Sequence, residues 1–409
     1  MSGARELRDQ LVDGLVTAGR IHNPRLAAAF RTVPREVFVP NVELSQAYRD
    51  EAIVTRWDGE GRPLSSSSQP AMMATMLEQL GVEPGHRVLE IGTGTGYNSA
   101  LLARLVGATG HVVSVDIDED VARQARDHLD QAGCPKVEVV HADGADGWPP
   151  GAPYDRIILT ASTRDLAPAW LAQLPAAGRL VLPLSLRGMQ RSVALEWAGD
   201  HLSSVSIEDC GFMPLRGLLA GSDASRPLGS HGTFVVVDGD RPVDAAALQA
   251  ALAQPGAPVT AEVGVTDAEI MGGLGLWLVL HEPDAALLTA VGAAAEANLV
   301  PSSMKFPGMT LALAVLGDHS LAAVVRPGRA TTTADGLILA VQPFGPDAGG
   351  LANRLLAHVH AWAAHGRMAT VDLSIHAYPR PAKNFAAAAA AVIDLPHTRL
   401  ALEFRKPTG

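Results

Sequence analysis

The sequence predicts a doubly wound α/β domain followed by a separate α+β domain. Three observations carry this. The apolar run at 88–91 meets a glycine-dense turn, Gly92-Thr93-Gly94-Thr95-Gly96, and an apolar-periodic segment at 99–106 follows at once. Three more apolar runs then alternate with helical stretches, the order of a parallel sheet with crossover helices. Past residue 232 the order changes to many strand-like runs with few helices between them, which implies an α+β unit. For a chain of 409 residues two domains are the natural expectation.

Near the N-terminus Leu7, Leu11, Val12, Leu15 and Val16 recur at helical spacing, giving a helix that caps the core. Residues 88–91 are the first strand of the sheet. The glycines after it permit positive φ and close backbone approach. The helix start adds unpaired N–H groups and partial positive charge. Such a loop cradles a nucleotide-like cofactor, although a plain turn produces the same string. A nicotinamide site is the first rival, and its fingerprint is G-x-G-x-x-G. Here the glycines fall at 92, 94 and 96, with Glu90 two positions before the first. The second strand, 111–116, ends in Asp116, about 20 residues past the glycines, where an acid accepts hydrogen bonds from ribose hydroxyls. A third strand ends in Asp143-Gly144, and a fourth, 155–160, ends at Thr160. Taken singly, Asp116 and Asp143 read equally well as ordinary strand-end acids. Ligands of such sheets sit at the carboxyl ends of the strands.

In the second half, 217–232 reads as a connecting loop. Strand-like runs follow at 233–238, 274–280, 309–316, 321–326, 337–342, 370–377 and 398–404, with helical stretches at 244–253, 284–295 and 350–365. His358 and His360 are two apart on a helix and so point to different faces, whereas zinc pairs on a helix want i, i+4. The segments 305–309 and 379–385 are basic-aromatic loops, and 331–333 is a polar turn.

A net charge of −11 argues against a nucleic-acid surface. Cys134 and Cys210 are the only cysteines, which suggests no disulfide framework and no metal site. The N-terminus lacks the apolar core of a secretion signal. The alanine-rich run at 386–393 is too short to span a membrane. A cytoplasmic enzyme is the expectation.

The flanks make the reading specific. Residues 32–40, Ala47-Tyr48, Ser68-Gln69-Pro70, the glycine loop with Tyr97, Asp143-Gly144, residues 152–155 and 177–183, and Phe212-Met213-Pro214-Leu215 stand in one order. Over residues 5–217 this resembles the protein-L-isoaspartate O-methyltransferases. The resemblance implies a class I methyltransferase (Rossmann-like) domain at 1–217, a linker at 218–232 and an accessory α+β domain for peptide recognition at 233–409. It implies S-adenosyl-L-methionine as donor and S-adenosyl-L-homocysteine as product. The donor would be held by Glu90, Gly92, Thr93, Gly94, Gly96, Asp116, Ile117, Asp143, Gly144 and Thr160. Ser68 would be catalytic. Ser66, Ser67, Gln69, Pro70, Phe212, Pro214 and Leu215 would meet the acceptor. No metal is implied.

The chemistry agrees. A carboxylate is already ionised at neutral pH, its reference pKa being about 4, so no strong base is needed. The site must align oxygen, methyl and sulfur at about 3 Å and strip water from the carboxylate. The chain departs from the family at Ser66-Ser67-Ser68, where Thr-Ile-Ser is usual, so peptide selection is expected to differ. The long C-terminal extension and Gly96-Tyr97-Asn98-Ser99 resemble a bacterial subgroup that acts on ribosomally made, modified peptides such as lanthipeptides, lasso peptides and graspetides. That resemblance implies methylation of an aspartyl side chain in a cyclised precursor peptide, leading to aspartimide and isoaspartate. The alternatives are a repair enzyme for damaged proteins and a scaffold without turnover.

Overall fold

The computed structural model describes residues 2–57, 63–220, 225–229, 232–239, 241–306, 308–327, 332–333, 336–380 and 389–404. Strands β1 (Ile53–Trp57) and β2 (Pro63–Ser67) form an antiparallel hairpin. The main sheet is built from β3 (Arg87–Ile91), β4 (His111–Asp116), β5 (Glu138–His141), β6 (Arg156–Leu159) and β7 (Arg179–Leu186). Their spatial order is β5-β4-β3-β6-β7, all parallel. The order reverses at β3, whose neighbours are β4 and β6, and a crevice opens above the carboxyl ends of strands at such a switch. Antiparallel β8 (Met189–Ala198) and β9 (His201–Asp209) widen the sheet beyond β7.

The second sheet contains β10 (Ser225–Pro227), β11 (Thr233–Val236), β12 (Val259–Val265), β13 (Ala285–Val291), β14 (Met304–Phe306), β15 (Met309–Leu316), β16 (Leu321–Val325), β17 (Thr332–Thr333) and β18 (Gly336–Phe344). Its main path runs β10-β11-β13-β15-β16-β18-β12, with β14 beside β15 and β17 beside β18. Helix Gly349–Ala364 packs on it through Ala352, Leu355, Val359 and Trp362. The chain then returns. Strands β19 (Leu373–Pro379), β20 (Ala391–Asp394) and β21 (Thr398–Phe404) join the first sheet, β19 pairing with β9 through His376↔Ser203 and Ala377↔Leu202.

The expected boundary at 233 is therefore corrected. Strand β19 covers the outer edge of β9, which would otherwise present unpaired N–H and C=O groups. The core is shared as well. One cluster of buried residues runs from Leu89 and Val113 through Leu184 and Met189 to Trp277, Leu313 and Trp362. On the other face of the sheet, Val88, Val112, Ile158 and Val181 pack with Val12, Leu15 and Phe30 of the N-terminal helices.

Two element types differ from expectation. Residues 274–280 are helical, as a π-turn at Ile270–Gly275 and a helix at Leu276–His281. A short, fully apolar run fits a buried strand or a buried helix equally, and here Leu276, Leu278 and Leu280 are all buried. The alanine-rich segment at 284–295 is instead β13 plus a four-residue helix, Ala293–Glu296. Pairing with β11 on one side and β15 on the other outweighs the helix propensity of alanine. Residues 370–372 form a 3-10 turn before β19 begins. Of the expected loops, 381–385, 307 and 331 lie outside the described residues. No helix among the described residues is long and apolar enough to cross a membrane. None of their side chains group as a metal site.

Candidate active site

The glycine loop joins β3 to helix Tyr97–Val106 and carries the local geometry its sequence requires. Gly92 has φ of 98°, and a Cβ there would collide with Thr160 Oγ1. That hydroxyl instead donates to Gly92 O at 2.5 Å. Gly94 has φ of 54°, and a Cβ would lie 3.3 Å from Ser66 O of β2. The hairpin thus closes down on the loop, and the two enclose a cavity of about 700 Å³ at the carboxyl ends of the strands.

Asp116 lies on the wall, at the end of β4. Its carboxylate accepts from Gly94 N at 3.0 Å and Asp118 N at 3.1 Å. Burial pushes its pKa up, and the two backbone donors pull in the opposite direction. Ile117, Thr93, Gly144 and Thr160 line the same space. A cavity with a close backbone approach at its loop and a fixed carboxylate one strand away fits a nucleoside-bearing methyl donor.

Ser66, Ser67, Ser68 and Gln69 form the opposite wall. They are held from behind by Arg35, which is fully buried. Its guanidinium donates to Ser68 O at 3.0 Å and Glu51 O at 3.2 Å, and lies 5.3 Å from the Tyr97 ring centroid. Burial lowers the Arg35 pKa. Gln69 turns its amide to Asp50, donating to Oδ2 at 3.0 Å. Phe212, Pro214 and Leu215 complete the wall. Gln190 fixes this stretch by donating to Phe212 O at 3.0 Å and accepting from Phe212 N at 2.7 Å.

Four expected site residues do not line the cavity. Glu90 is fully buried under the loop, accepting from Asn98 Nδ2 at 2.8 Å, Ser114 Oγ at 2.6 Å and Ser99 Oγ. It anchors the loop to its helix, and burial pushes its pKa up. Gly96 is the helix N-cap and packs against Ala125 and Leu129. Pro70 is buried in the first turn of helix Pro70–Leu80. Asp143 caps its own turn through Ala145 N at 2.9 Å and accepts from Leu218 N at 2.8 Å, tying down the chain that leaves the cavity.

Among the wall residues that sequence reasoning did not place in the site are Gln190, Asp209, Cys210, Arg216 and Met309. Arg216 is the cation of the wall. Its nearest carboxylates, Asp116 and Asp118, are 4.0 and 3.8 Å away. Its position directly after the Phe-Met-Pro-Leu stretch was the available signal. Cys210 is held protonated, burial pushing its thiol up to about 12. Met309 comes from the second sheet, and nothing local in the sequence announces it. Asp209 meets Arg191, which is buried beneath the wall.

A family model described as Protein-L-isoaspartate(D-aspartate) O-methyltransferase matches residues 6–220. The protein-L-isoaspartate O-methyltransferase of Methanopyrus kandleri is 38% identical over 215 residues, covering 52% of this chain and 92% of the relative. That of Methanoculleus marisnigri is 39% identical over 213 residues, covering 52% and 93%. A solved structure described as a protein-L-isoaspartate O-methyltransferase has a TM-score of 0.50 at 24% identity. It covers 90% of this chain and 96% of its own, so the likeness in fold runs past residue 220 into the second sheet. With more than half its length matched by the family model, this chain belongs to the protein-L-isoaspartate(D-aspartate) O-methyltransferase family, carboxyl methyltransferases that use S-adenosyl-L-methionine.

Proposed function

We propose that this chain methylates the side-chain carboxylate of an aspartyl residue in a ribosomally made, cyclised peptide. The observation that carries the reading is Met309, a residue of the second sheet in the cavity wall. A wall shared with a second unit would narrow the range of acceptors. The run Ser65 to Ser68 along the same wall adds hydroxyls where the acceptor enters.

The bound donor supplies an activated methyl group on its sulfonium. The chain does the rest. Backbone at Gly92 and Gly94 would cradle the donor, and Asp116 would accept from its ribose hydroxyls. The Ser68 hydroxyl donates to one oxygen of the acceptor carboxylate and aims the other at the methyl. Arg216 offsets the acceptor's negative charge beside Asp116 and Asp118. No residue needs to remove a proton, and a Cys210 held as thiol does not compete for the methyl. In the product, the following backbone amide nitrogen attacks the ester carbonyl. Methanol leaves, an aspartimide ring closes, and hydrolysis of the ring yields isoaspartate. Closure is intramolecular and draws on high effective molarity.

The second reading is repair of isoaspartyl residues in proteins. It is favoured by the name of the relatives at 38% and 39% identity. Mass spectrometry on matched aspartyl and isoaspartyl peptides, linear and cyclised, separates the two. A methyl gain on the cyclised aspartyl peptide, followed by loss of methanol, supports maturation. Methylation confined to isoaspartyl forms refutes it.

A further inference from the structure

We infer that an apolar row on the second sheet, Phe306–Met309–Val291, is the docking surface for the acceptor peptide beside its acidic residue. The inference rests on the carboxyl-methylation reading of the cavity and names the part of the substrate that the second unit reads. The three residues belong to adjacent strands. Phe306 of β14 stands directly opposite Met309 of β15, and Val291 of β13 stands opposite Met309 on its other side. Directly opposed residues of antiparallel strands project from the same face, with Cβ atoms about 5 Å apart. The three side chains therefore form one continuous strip.

That face has a clear history along the strands. Further in, it contributes Met304, Leu313 and Val315 to the core shared with the first unit. At its outer end the core stops, and the last row is left open. Phe306 is 42% exposed and Val291 is 39% exposed. Met309 between them is half-buried and forms part of the cavity wall. The strip carries no charge. Its backbone is held firmly: Gly292 N donates to Gly308 O at 2.8 Å, and Ser303 Oγ, fully buried, bridges Val324 O and Leu313 N at 2.7 and 3.0 Å. An apolar strip on a rigid frame, continuous with a cavity that takes a carboxylate, fits a peptide with an aliphatic or aromatic side chain next to the methylated acid. A second copy of the chain would cover the row equally well but would also block the cavity through Met309.

The test uses the full chain and four peptides. They are identical except for Leu or Gly beside the acidic residue, each made in aspartyl and isoaspartyl form. Turnover and peptide affinity are measured together, with S-adenosyl-L-homocysteine present in the binding assay. The wild type should favour Leu over Gly by about tenfold, the scale of apolar side-chain discrimination. Phe306→Ala and Met309→Ala should each bring that ratio towards one. Val259→Ala, an exposed apolar residue on the far strand of the same sheet, should leave it unchanged. Phe306 is exposed, so its variant tests the row even if the Met309 variant folds poorly. A ratio near one in the wild type, or a ratio unchanged by Phe306→Ala, overturns the docking row. Phe306-dependent binding of the Leu peptides without methylation of any peptide would uphold the row and sink the reading of the cavity instead.

Discussion

Arg191→Met is the perturbation whose size can be worked from the structure. Arg191 is 2% exposed and joins the two units behind the acceptor wall. Nη1 donates to Gln190 O at 2.8 Å, and Nη2 donates to Met271 O at 3.0 Å. Nε lies 3.1 Å from Thr370 Oγ1 and 3.0 Å from Asp209 Oδ1. Removing the guanidinium does not strand a buried anion, because the Asp209 side chain is half exposed and keeps the Thr370 hydroxyl at 2.7 Å. The cost lies in the two carbonyls, each left without its donor at about 1–3 kcal/mol. A loss of about 3 kcal/mol in unfolding free energy is expected once partial relaxation is allowed for. It should show in urea titration as a lower midpoint with little change in slope.

The same substitution makes a functional prediction that a purely structural role would not. Gln190 holds Phe212 and Asp209 lies on the same wall, so the acceptor wall should loosen while the glycine loop and Asp116 keep their own hydrogen bonds. Acceptor KM should rise several-fold, with donor affinity by calorimetry close to wild type. Arg191→Lys keeps the charge but cannot reach both carbonyls in fork geometry, so it should recover only part of the stability. An unfolding free energy within about 0.5 kcal/mol of wild type would refute the reasoning, since that is the ordinary range for surface substitutions. Equal losses in donor affinity and acceptor KM would refute the separation of the two walls.

Ser68→Ala should lower kcat by about 10²-fold or more with donor affinity retained, as loss of one positioning donor does elsewhere; unchanged turnover in a methyl-transfer assay would remove its role. Arg216→Gln should raise KM for the acceptor and flatten the salt dependence of kcat/KM; a weaker donor with unchanged acceptor KM would assign the guanidinium to the donor's own carboxylate. Asp116 has a folded pKa raised above its unfolded value, so its contribution to stability is full below the unfolded pKa and is lost as pH rises through the folded one. Donor affinity runs the other way, falling as the carboxylate gains its proton on acidification, and calorimetry across pH on Asp116→Asn should show that dependence gone. Truncation after Leu215 should give an aggregating chain rather than a donor-binding domain, because β9 loses β19 from its edge; a soluble monomer that binds S-adenosyl-L-homocysteine would contradict this.

Much of the cavity wall proposed for the donor was legible in the sequence because it is local. A strand, a glycine loop and a helix follow one another within 20 residues, and Asp116 and Thr160 end strands that neighbour β3 directly. Glu90 shows the limit of such reading. Its place before the glycines suggests a ligand contact, yet alternation along β3 sends the side chain under the loop, to Asn98, Ser99 and Ser114. The acceptor side was legible only in part. Ser68 and Phe212 sit in recognisable strings, whereas Met309 reaches the cavity through the packing of a second sheet, about which local pattern is silent. The misread runs at 274–280 and 284–295 have the same origin. In both, burial and strand pairing decided the conformation, and composition favoured the other.

Methylating a carboxylate poses an unusual problem of selectivity. The acceptor is ionised in water and needs no base, so every exposed aspartate of every protein is chemically competent. Discrimination must come from binding. The carboxylate itself carries none, being common to all of them, and the serine and arginine proposed to hold it would read charge rather than sequence. A single apolar contact is worth only about 10–200-fold, so selecting one residue needs a contact next to the carboxylate on a frame that does not yield. Met309 lies on the wall of the cavity, and its strand is locked on both sides by β13 and β14. The return of β19 to β9 and the Arg191 bridge then keep that frame in register with Ser68. On the proposed reading the second unit would act as the other half of the acceptor site, and the strands it lends to the first sheet would set its position to the tolerance that methyl transfer demands.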